Sequence, residues 1–115
     1  MLLVYEGGRV RKAGLKDYLD AVKMLLLTIP TGKVVSYKEL ADALKIPPVL
    51  VGKLLSMNDE APIVPCHRVV NSDGRLGGYS GPGGIDFKSR LLELEGVRVE
   101  NGVIPKKYFH KLPVR

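Results

Sequence analysis

One short stretch of the chain carries side chains whose chemistry a buried strand does not need. Residues 63–70 form an apolar, β-branched run, the pattern of a buried strand or strand end. Pro65 interrupts this run and is followed by Cys66, the only cysteine, then by His67 and Arg68. Buried arginine is rare unless paired, and proline removes a donor from a strand ladder. The stretch therefore predicts a rigid backbone that presents a thiol, although a lone cysteine is more often a small buried hydrophobic residue.

Cys66 needs help to react, because a thiol is a nucleophile only as the thiolate and requires a base or positive charge nearby. His67 is the candidate base, and Glu95 is the candidate carboxylate that holds its tautomer. Adjacent side chains usually point apart, so the link between Cys66 and His67 is expected to run through a water molecule. Two simpler alternatives stay open: Glu95 could pair with Arg68, and Tyr79 could be a packing residue.

Length and composition limit the class of protein. The 115 residues suffice for one domain with its own core, so we expect a single domain over residues 1–115. A single cysteine excludes an internal disulfide and a cysteine-rich zinc site, and no metal is expected. A lone thiol without a recognisable signal peptide or membrane span indicates the cytoplasm. The net charge of +6 favours a polyanionic partner, nucleic acid first, although charge alone is a weak signal.

Three helices are predicted in the first half of the chain. Apolar residues at helical spacing predict a helix over residues 16–28. Ser36 followed by Glu39 fits a capping box, which predicts a second helix over residues 37–44. The prolines that follow predict a third helix over residues 48–57. In a basic chain this pair suggests a helix-turn-helix, although two core helices joined at an ordinary turn fit the pattern equally well.

The remaining segments are a turn, a glycine-rich loop, one helix and two ends. Residues 71–74 predict a turn, and residues 77–84 a loop in which glycine lets the backbone approach a ligand closely. A last helix is expected over residues 86–95, stopped by Gly96. Residues 1–12 form either a hairpin or a basic arm, and the basic tail of residues 97–115 is either a docked strand or frayed.

The run from Pro65 to Val69 resembles the active-site signature of the DNA O6-alkylguanine alkyltransferases. The similarity extends over about residues 16–96, the family's C-terminal DNA-binding domain. The N-terminal domain of many members is then absent or reduced to residues 1–12. The matching positions are Ser36-Tyr37, Val51-Gly52, Asn58 eight residues before Cys66, Gly78-Tyr79-Ser80-Gly81, Lys88, Leu91-Leu92 and Glu95-Gly96.

The resemblance implies a reaction, a set of residues and a fold. An alkyl group would move from O6 of a flipped guanine in duplex DNA to the Cys66 sulfur, once per protein molecule and without a cofactor, since the substrate carries its own leaving group. The expected fold is α+β, a small, mostly helical domain with a winged helix-turn-helix-like unit and a few short strands, acting as a monomer. The catalytic residues would be Cys66, His67, Glu95, Asn58 and Tyr37; the substrate would meet Pro65, Val69, Tyr79 and Ser80; and DNA would meet Tyr37, Lys38, Pro48, Val49, Gly52, Lys53, Arg68 and Ser72.

Val49 is the main departure from the family pattern, and it leaves other functions open. Family members carry an arginine there that fills the hole left by the flipped base, whereas valine offers only an apolar wedge. One alternative is a lesion sensor that binds the alkylated base without chemistry, a class that typically has a bulky residue at the position of Cys66. Another is a helix-turn-helix regulator whose cysteine senses alkylation or redox state.

Overall fold

A computed structural model of the protein describes residues 3–79, 81 and 83–112. Its elements are four helices, a few short strands and two single-turn 3₁₀ helices, and they form the α+β fold that was predicted. In chain order they are β1 (Leu3–Glu6), β2 (Arg9–Lys12), α1 (Leu15–Leu27), β3 (Val35–Ser36), α2 (Tyr37–Leu44), α3 (Pro48–Ser56), a 3₁₀ helix (Cys66–Arg68), β4 (Val69–Val70), α4 (Gly84–Leu94) and a second 3₁₀ helix (Lys106–Tyr108). No helix in the described ranges is long and apolar enough to cross a membrane.

The two helices of the predicted helix-turn-helix, α2 and α3, are both present, and the local sequence explains where each of them begins. Ser36 caps α2 by accepting a hydrogen bond from the backbone N–H of Glu39 at 2.9 Å. The second half of the capping box is absent, because the Glu39 carboxylate accepts instead from the backbone N–H of Leu112 at 2.5 Å. Helix α2 ends at Lys45 in the left-handed region, and α3 then begins with Pro48 in its first turn.

The core lies between α1, α2, α3 and a short parallel pair of strands. Strand β3 pairs with β4, with Val35 opposite Val69 and Ser36 opposite Val70. This pairing places the chain after Cys66 directly beside the chain that enters α2. The start of the helix-turn-helix and the cysteine are therefore fixed to one another through the backbone.

The predicted strand through Cys66 is wrong in its middle. The Cys66 N–H donates to the carbonyl oxygen of Val64 at 2.9 Å, and the Arg68 N–H donates to that of Pro65 at 3.0 Å. The chain therefore forms a 3₁₀ turn here. Only Val69 and Val70 are extended. Pro65 has no N–H to donate to a ladder, so this segment bends where a strand would continue.

Residues 3–12 and 97–112 both form ordered parts of the fold, rather than a free arm and a frayed tail. Residues 3–12 form the antiparallel hairpin β1–β2 rather than a free arm. The described part of the tail, residues 97–112, is docked through one strand-like bridge: Val34 pairs in parallel with Phe109 through backbone bonds to Tyr108 and His110, and Ile104 and Leu112 are buried. The tail therefore lies against the segment that leads into α2.

Candidate active site

A cleft of about 600 Å³ opens between the helix-turn-helix and the glycine-rich loop. Its size falls within the range of small-molecule sites. Ten of the described residues line it: Tyr37, Pro48, Val49, Gly52, Leu55, Ser56, Cys66, Asn71, Gly78 and Tyr79. The structure thus brings the only thiol, both predicted tyrosines and the start of α3 to a single opening.

Asn58 holds the backbone that leads into Cys66. Its side-chain amide donates to the carbonyl oxygen of Val64 at 3.0 Å, and its carbonyl accepts from the N–H of Glu60 at 3.0 Å. Val64 also accepts the Cys66 N–H, so one carbonyl ties the asparagine to the cysteine turn. Cys66 itself is 6% exposed, at the wall of the cleft.

Glu95 lies behind the cysteine and binds two partners at once. His67 Nε2 is 2.9 Å from Oε2 of Glu95, and Arg68 donates to both carboxylate oxygens, at 2.9 and 2.8 Å. Glu95 therefore makes both of the predicted contacts, one with His67 and one with Arg68. Burial opposes ionisation of Glu95, but the hydrogen bonds from Arg68 and His67 hold the pKa of its carboxyl below its usual range.

His67 is 1% exposed, and burial lowers its pKa even though Glu95 acts in the opposite direction. With Nε2–H donating to the carboxylate, Nδ1 keeps a free lone pair. Nδ1 has no hydrogen-bond partner among the described residues. The imidazole is thus buried, neutral by preference and oriented, as a general base requires.

Tyr37 and Tyr79 face the glycine-rich loop across the cleft. The Tyr37 hydroxyl donates to the carbonyl of Gly78 at 3.4 Å, and burial raises the pKa of both tyrosines. Gly77 has a φ of +71°, and a Cβ there would lie 3.1 Å from the Tyr37 ring, so this position requires glycine. Tyr79 packs on Phe87, and its buried hydroxyl has no partner within the described part of the chain.

The other predicted site residues fall into three groups. Pro65 and Val69 are buried beside the cysteine turn, while Ser80 lies outside the described residues. Lys38, Lys53 and Ser72 are exposed, and Lys38 pairs with Asp42. Pro48, Val49 and Gly52 line the cleft, with Val49 85% exposed.

Arg68, predicted to contact DNA, directs its guanidinium into the protein. Besides Glu95 it binds the carbonyl of Ile29 at 2.8 Å and the hydroxyl of Thr31 at 3.2 Å. These bonds give Arg68 an internal role, and its contact with DNA stays a prediction.

Lys88 is the residue to which the sequence pattern assigned no role. It is fully buried on α4, and its ammonium donates to the carbonyl oxygens of Val69, Leu76 and Gly78. Burial lowers its pKa to about 8. A signal was present in the sequence, since Lys88 lies four residues before Leu92 and seven before Glu95, on the inward face of the helix.

The fold and the site together define a class of protein, a helix-turn-helix domain with a cysteine beside its second helix and a His–Glu pair behind it. Residues 17–97 match the family described as 6-O-methylguanine DNA methyltransferase, DNA binding domain. Because the match covers more than half of the chain, the protein belongs to this family. No group of three or more possible metal ligands occurs among the described residues.

Known proteins resemble the chain over most of its length. A methylated-DNA–protein-cysteine methyltransferase of Saccharolobus islandicus is 49% identical over 74 residues, which are 64% of this chain and 47% of that protein. Mycobacterium tuberculosis OGT, solved in complex with DNA, is 44% identical with a TM-score of 0.65, over 75% of this chain and 51% of that one. S. pombe Atl1, solved with damaged DNA containing O6-carboxymethylguanine, is 27% identical with a TM-score of 0.73, over 86% of this chain and 99% of that one. The chain spans about half the length of the curated relatives it matches.

Proposed function

We propose that the protein repairs DNA by moving an alkyl group irreversibly from O6 of guanine in duplex DNA to Cys66. The observation that carries this proposal is the position of Cys66 at the wall of the cleft, with His67 next to it in the chain and Glu95 bound to that buried imidazole. The methylated-DNA–protein-cysteine methyltransferase among its relatives supports the same reaction. A helix-turn-helix beside the cleft suits the delivery of a base from a duplex.

The proposed reaction begins with the thiolate of Cys66. The lone pair on Nδ1 of His67 takes the thiol proton through a water molecule, and Glu95 stabilises the imidazolium that forms. The sulfur then attacks the alkyl carbon in line, so that a C–S bond forms and the C–O6 bond breaks. The guanine leaves with the electron pair, and the Tyr37 hydroxyl donates a hydrogen bond to the purine ring as the negative charge develops. Backbone groups at Cys66 and Val69 would read the base edge, and Pro65, Tyr79 and Ser80 are proposed to contact the base.

The product explains why the protein would act only once. None of the described residues that line the cleft carries a group that could cleave a thioether at Cys66. Each protein molecule would therefore repair one lesion and remain alkylated. The substrate carries its own leaving group, so the reaction calls for no cofactor.

DNA would approach through the start of α3. Gly52 lies in the helix interior, where glycine is unfavourable. A Cβ built there meets no atom of the described residues within 4 Å, apart from its chain neighbours and the backbone of its own helix. The space is consistent with a role for Gly52 in close approach of the DNA backbone. Val49 would hold the emptied base step open as an apolar wedge, while Pro48 borders the same opening.

Charged and polar residues outside the cleft would add sequence-independent contacts. Lys38, Lys53 and Ser72 are exposed and are proposed to meet phosphates of the duplex. Arg68 would act mainly by holding Glu95 in place, given its internal bonds.

A lesion sensor without chemistry is the second candidate function. The likeness to S. pombe Atl1 favours it, because that chain is covered almost completely and was solved with damaged DNA. The retained thiol at Cys66 favours transfer instead.

Transfer and sensing can be separated with one substrate. The protein would be incubated with a molar excess of duplex containing a single O6-methylguanine, and the DNA then digested and its nucleosides separated. The proposal predicts that O6-methylguanine is converted to guanine, to the extent of one lesion per protein molecule. Cys66→Ala should bind the duplex but leave the lesion intact. Tight binding with an unchanged lesion in the unaltered protein would overturn the transfer proposal and support the sensor.

A further inference from the structure

Glu39 stands at the third position of α2 but does not complete the capping box there. In a capping box the side chain at this position accepts a hydrogen bond from the backbone N–H of the N-cap residue, here Ser36. The Glu39 carboxylate accepts instead from the backbone N–H of Leu112, 73 residues further along the chain, at 2.5 Å. A hydrogen bond to a charged acceptor is stronger than one between neutral groups. The first turn of α2 is therefore bonded to the tail through its own glutamate.

The tail is also bonded to the segment that leads into α2. The backbone N–H of Val34 donates to the carbonyl of Tyr108 at 2.9 Å, and the N–H of His110 donates to the carbonyl of Val34 at 2.8 Å. Val34 is fully buried, so without the tail both of its backbone groups would lose their partners. The side chain of Leu112 is buried in the same apolar core as the inward face of α2. The tail is thus an integral support of the chain on both sides of β3.

The first turn of α2 also carries a residue of the cleft. Tyr37 begins the helix two residues before Glu39, lines the cleft, and donates its hydroxyl to the carbonyl of Gly78. The turn at Cys66 is held differently, by the side chain of Asn58 and by its own backbone bonds, and none of these bonds involves residues 97–112. Loss of the contact between Glu39 and the tail is therefore expected to displace the tyrosine while leaving the thiol in place.

We propose that Glu39 is a positioning residue, which ties the tail to the first turn of α2 and thereby holds the Tyr37 hydroxyl at its place opposite Cys66. The match to the family covers residues 17–97, so the tail that Glu39 binds lies beyond the matched region. The inference rests on the proposed alkyl transfer, in which Tyr37 and Cys66 act on the same base. The tail would then support the reaction without contacting the substrate.

The test compares two reactions of the same thiol, each measured well below the unfolding temperature of the variant. Methyl transfer from a duplex containing O6-methylguanine, with protein in excess, would use both Tyr37 and Cys66. Alkylation by iodoacetamide uses only the thiol, and Cys66 is the only cysteine. In Glu39→Ala we expect the single-turnover rate of transfer to fall by on the order of tenfold, because a misplaced donor no longer meets the developing charge. The rate with iodoacetamide should not change. An unchanged rate of transfer, or a parallel change in both reactions, would overturn the proposal.

Two matched variants keep the result specific to the contact with the tail. Glu39→Gln should transfer at close to the unaltered rate, because its amide oxygen can still accept from the N–H of Leu112. Glu93→Ala removes an exposed glutamate on α4 and should leave both rates unchanged. If Glu39→Gln is as slow as Glu39→Ala, the negative charge and not the bond to the tail is what matters, and the proposal is wrong.

Should Glu39→Ala not fold, hydrogen exchange in the unaltered protein tests the same contact. The amide of Leu112 should be protected to the same extent as the amides of α2, since helix and tail would open together. Exchange at Leu112 as fast as in an unstructured chain would contradict the proposal.

Failure of the proposed function gives a different result, namely no transfer by the unaltered protein. The Kd for the lesion duplex would then replace the transfer rate, because Tyr37 is also proposed to bind the base. It should rise by on the order of tenfold in Glu39→Ala and stay unchanged in Glu39→Gln. An equal Kd in Glu39→Ala and the unaltered protein would rule out the positioning role.

Discussion

Gly52 is the position where folding stability and DNA binding are expected to change in opposite directions. It lies inside α3 and lines the cleft, and beyond its own helix an added Cβ would meet no atom of the described residues within 4 Å. Glycine inside a helix costs roughly 0.5–1 kcal/mol relative to alanine. No contact in the described part of the protein explains this cost, so we attribute it to the approach of DNA.

The expected sizes of the two effects follow from these observations. Gly52→Ala should raise the free energy of unfolding by about 0.5–1 kcal/mol, and the Tm by about 2–4 °C for a domain of this length. Binding should weaken, because a methyl group that moves the two surfaces apart by about 0.5–1 Å forfeits a quarter to a half of each dispersion contact. We expect the Kd for lesion duplex to rise at least about tenfold, or about 1.4 kcal/mol.

The assay combines urea denaturation with fluorescence anisotropy on a duplex that carries O6-methylguanine, at one fixed salt concentration. Ser89→Ala is the matched control, since it also raises helix propensity but lies on α4, away from the residues that line the cleft. It should be more stable and bind as tightly as the unaltered protein. A stabilised Gly52→Ala with unchanged Kd would refute close approach at α3, and a destabilised one would refute the free space at Gly52.

Three further predictions concern the residues around the cysteine and the start of α3. Glu95→Ala leaves Arg68 and His67 without their shared carboxylate and should lower the free energy of unfolding by about 3 kcal/mol in urea denaturation; a loss within the error of the fit would contradict the ion-pair geometry. Because burial lowers the pKa of His67 from 6.5, the unfolded chain binds a proton that the folded chain does not, so stability is lost as the pH falls below 6.5. His67→Gln should remove this part of the slope, up to about 1.4 kcal/mol per pH unit, in unfolding curves measured between about pH 7.5 and 5; an identical slope would show that His67 does not titrate as described. Val49→Arg should lower the Kd for lesion duplex severalfold in the anisotropy assay, by about 1 kcal/mol for a new charged contact, and no change would mean that Val49 is not at the intercalating position.

Helix α2 shows which parts of the fold could be read from the sequence. Its bounds, Tyr37 and Leu44, were predicted from Ser36 at the start and from the prolines that follow. These signals act within a few residues, so they survive in the folded chain. The reciprocal half of the capping box failed for the opposite reason, because Glu39 binds Leu112, a partner far away in the chain.

The cysteine stretch shows how a correct set of residues can come with a wrong local structure. Its β-branched residues predicted a strand, but Pro65 cannot donate to a ladder and the chain turns at Cys66. The turn still leaves Cys66 at the cleft and brings His67 to Glu95, 28 residues further along the chain. The grouping of Cys66, His67 and Glu95 was predictable from their residue types. The turn could not be predicted in this way, because it depends on the backbone hydrogen bonds of Val64.

The hydrogen-bond partners of Lys88 and of the tail could not be predicted from the sequence, because none of them is a sequence neighbour. A lysine within a helix is usually exposed, and the three carbonyls that bury Lys88 come from β4 and the loop after it. The tail is likewise held by Val34 and Glu39, which precede it by about 70 residues. Such positions are decided by tertiary packing and not by local pattern.

The most direct test of the central claim is to locate the transferred group. The protein would be reacted with duplex containing O6-methylguanine, digested, and its peptides analysed by tandem mass spectrometry. The account predicts a single methyl group, on the sulfur of Cys66, and none in protein exposed to the same duplex with an unmodified guanine. A peptide with an unmodified Cys66 after the lesion has been bound to saturation, or a methyl group on any other residue, would contradict the account.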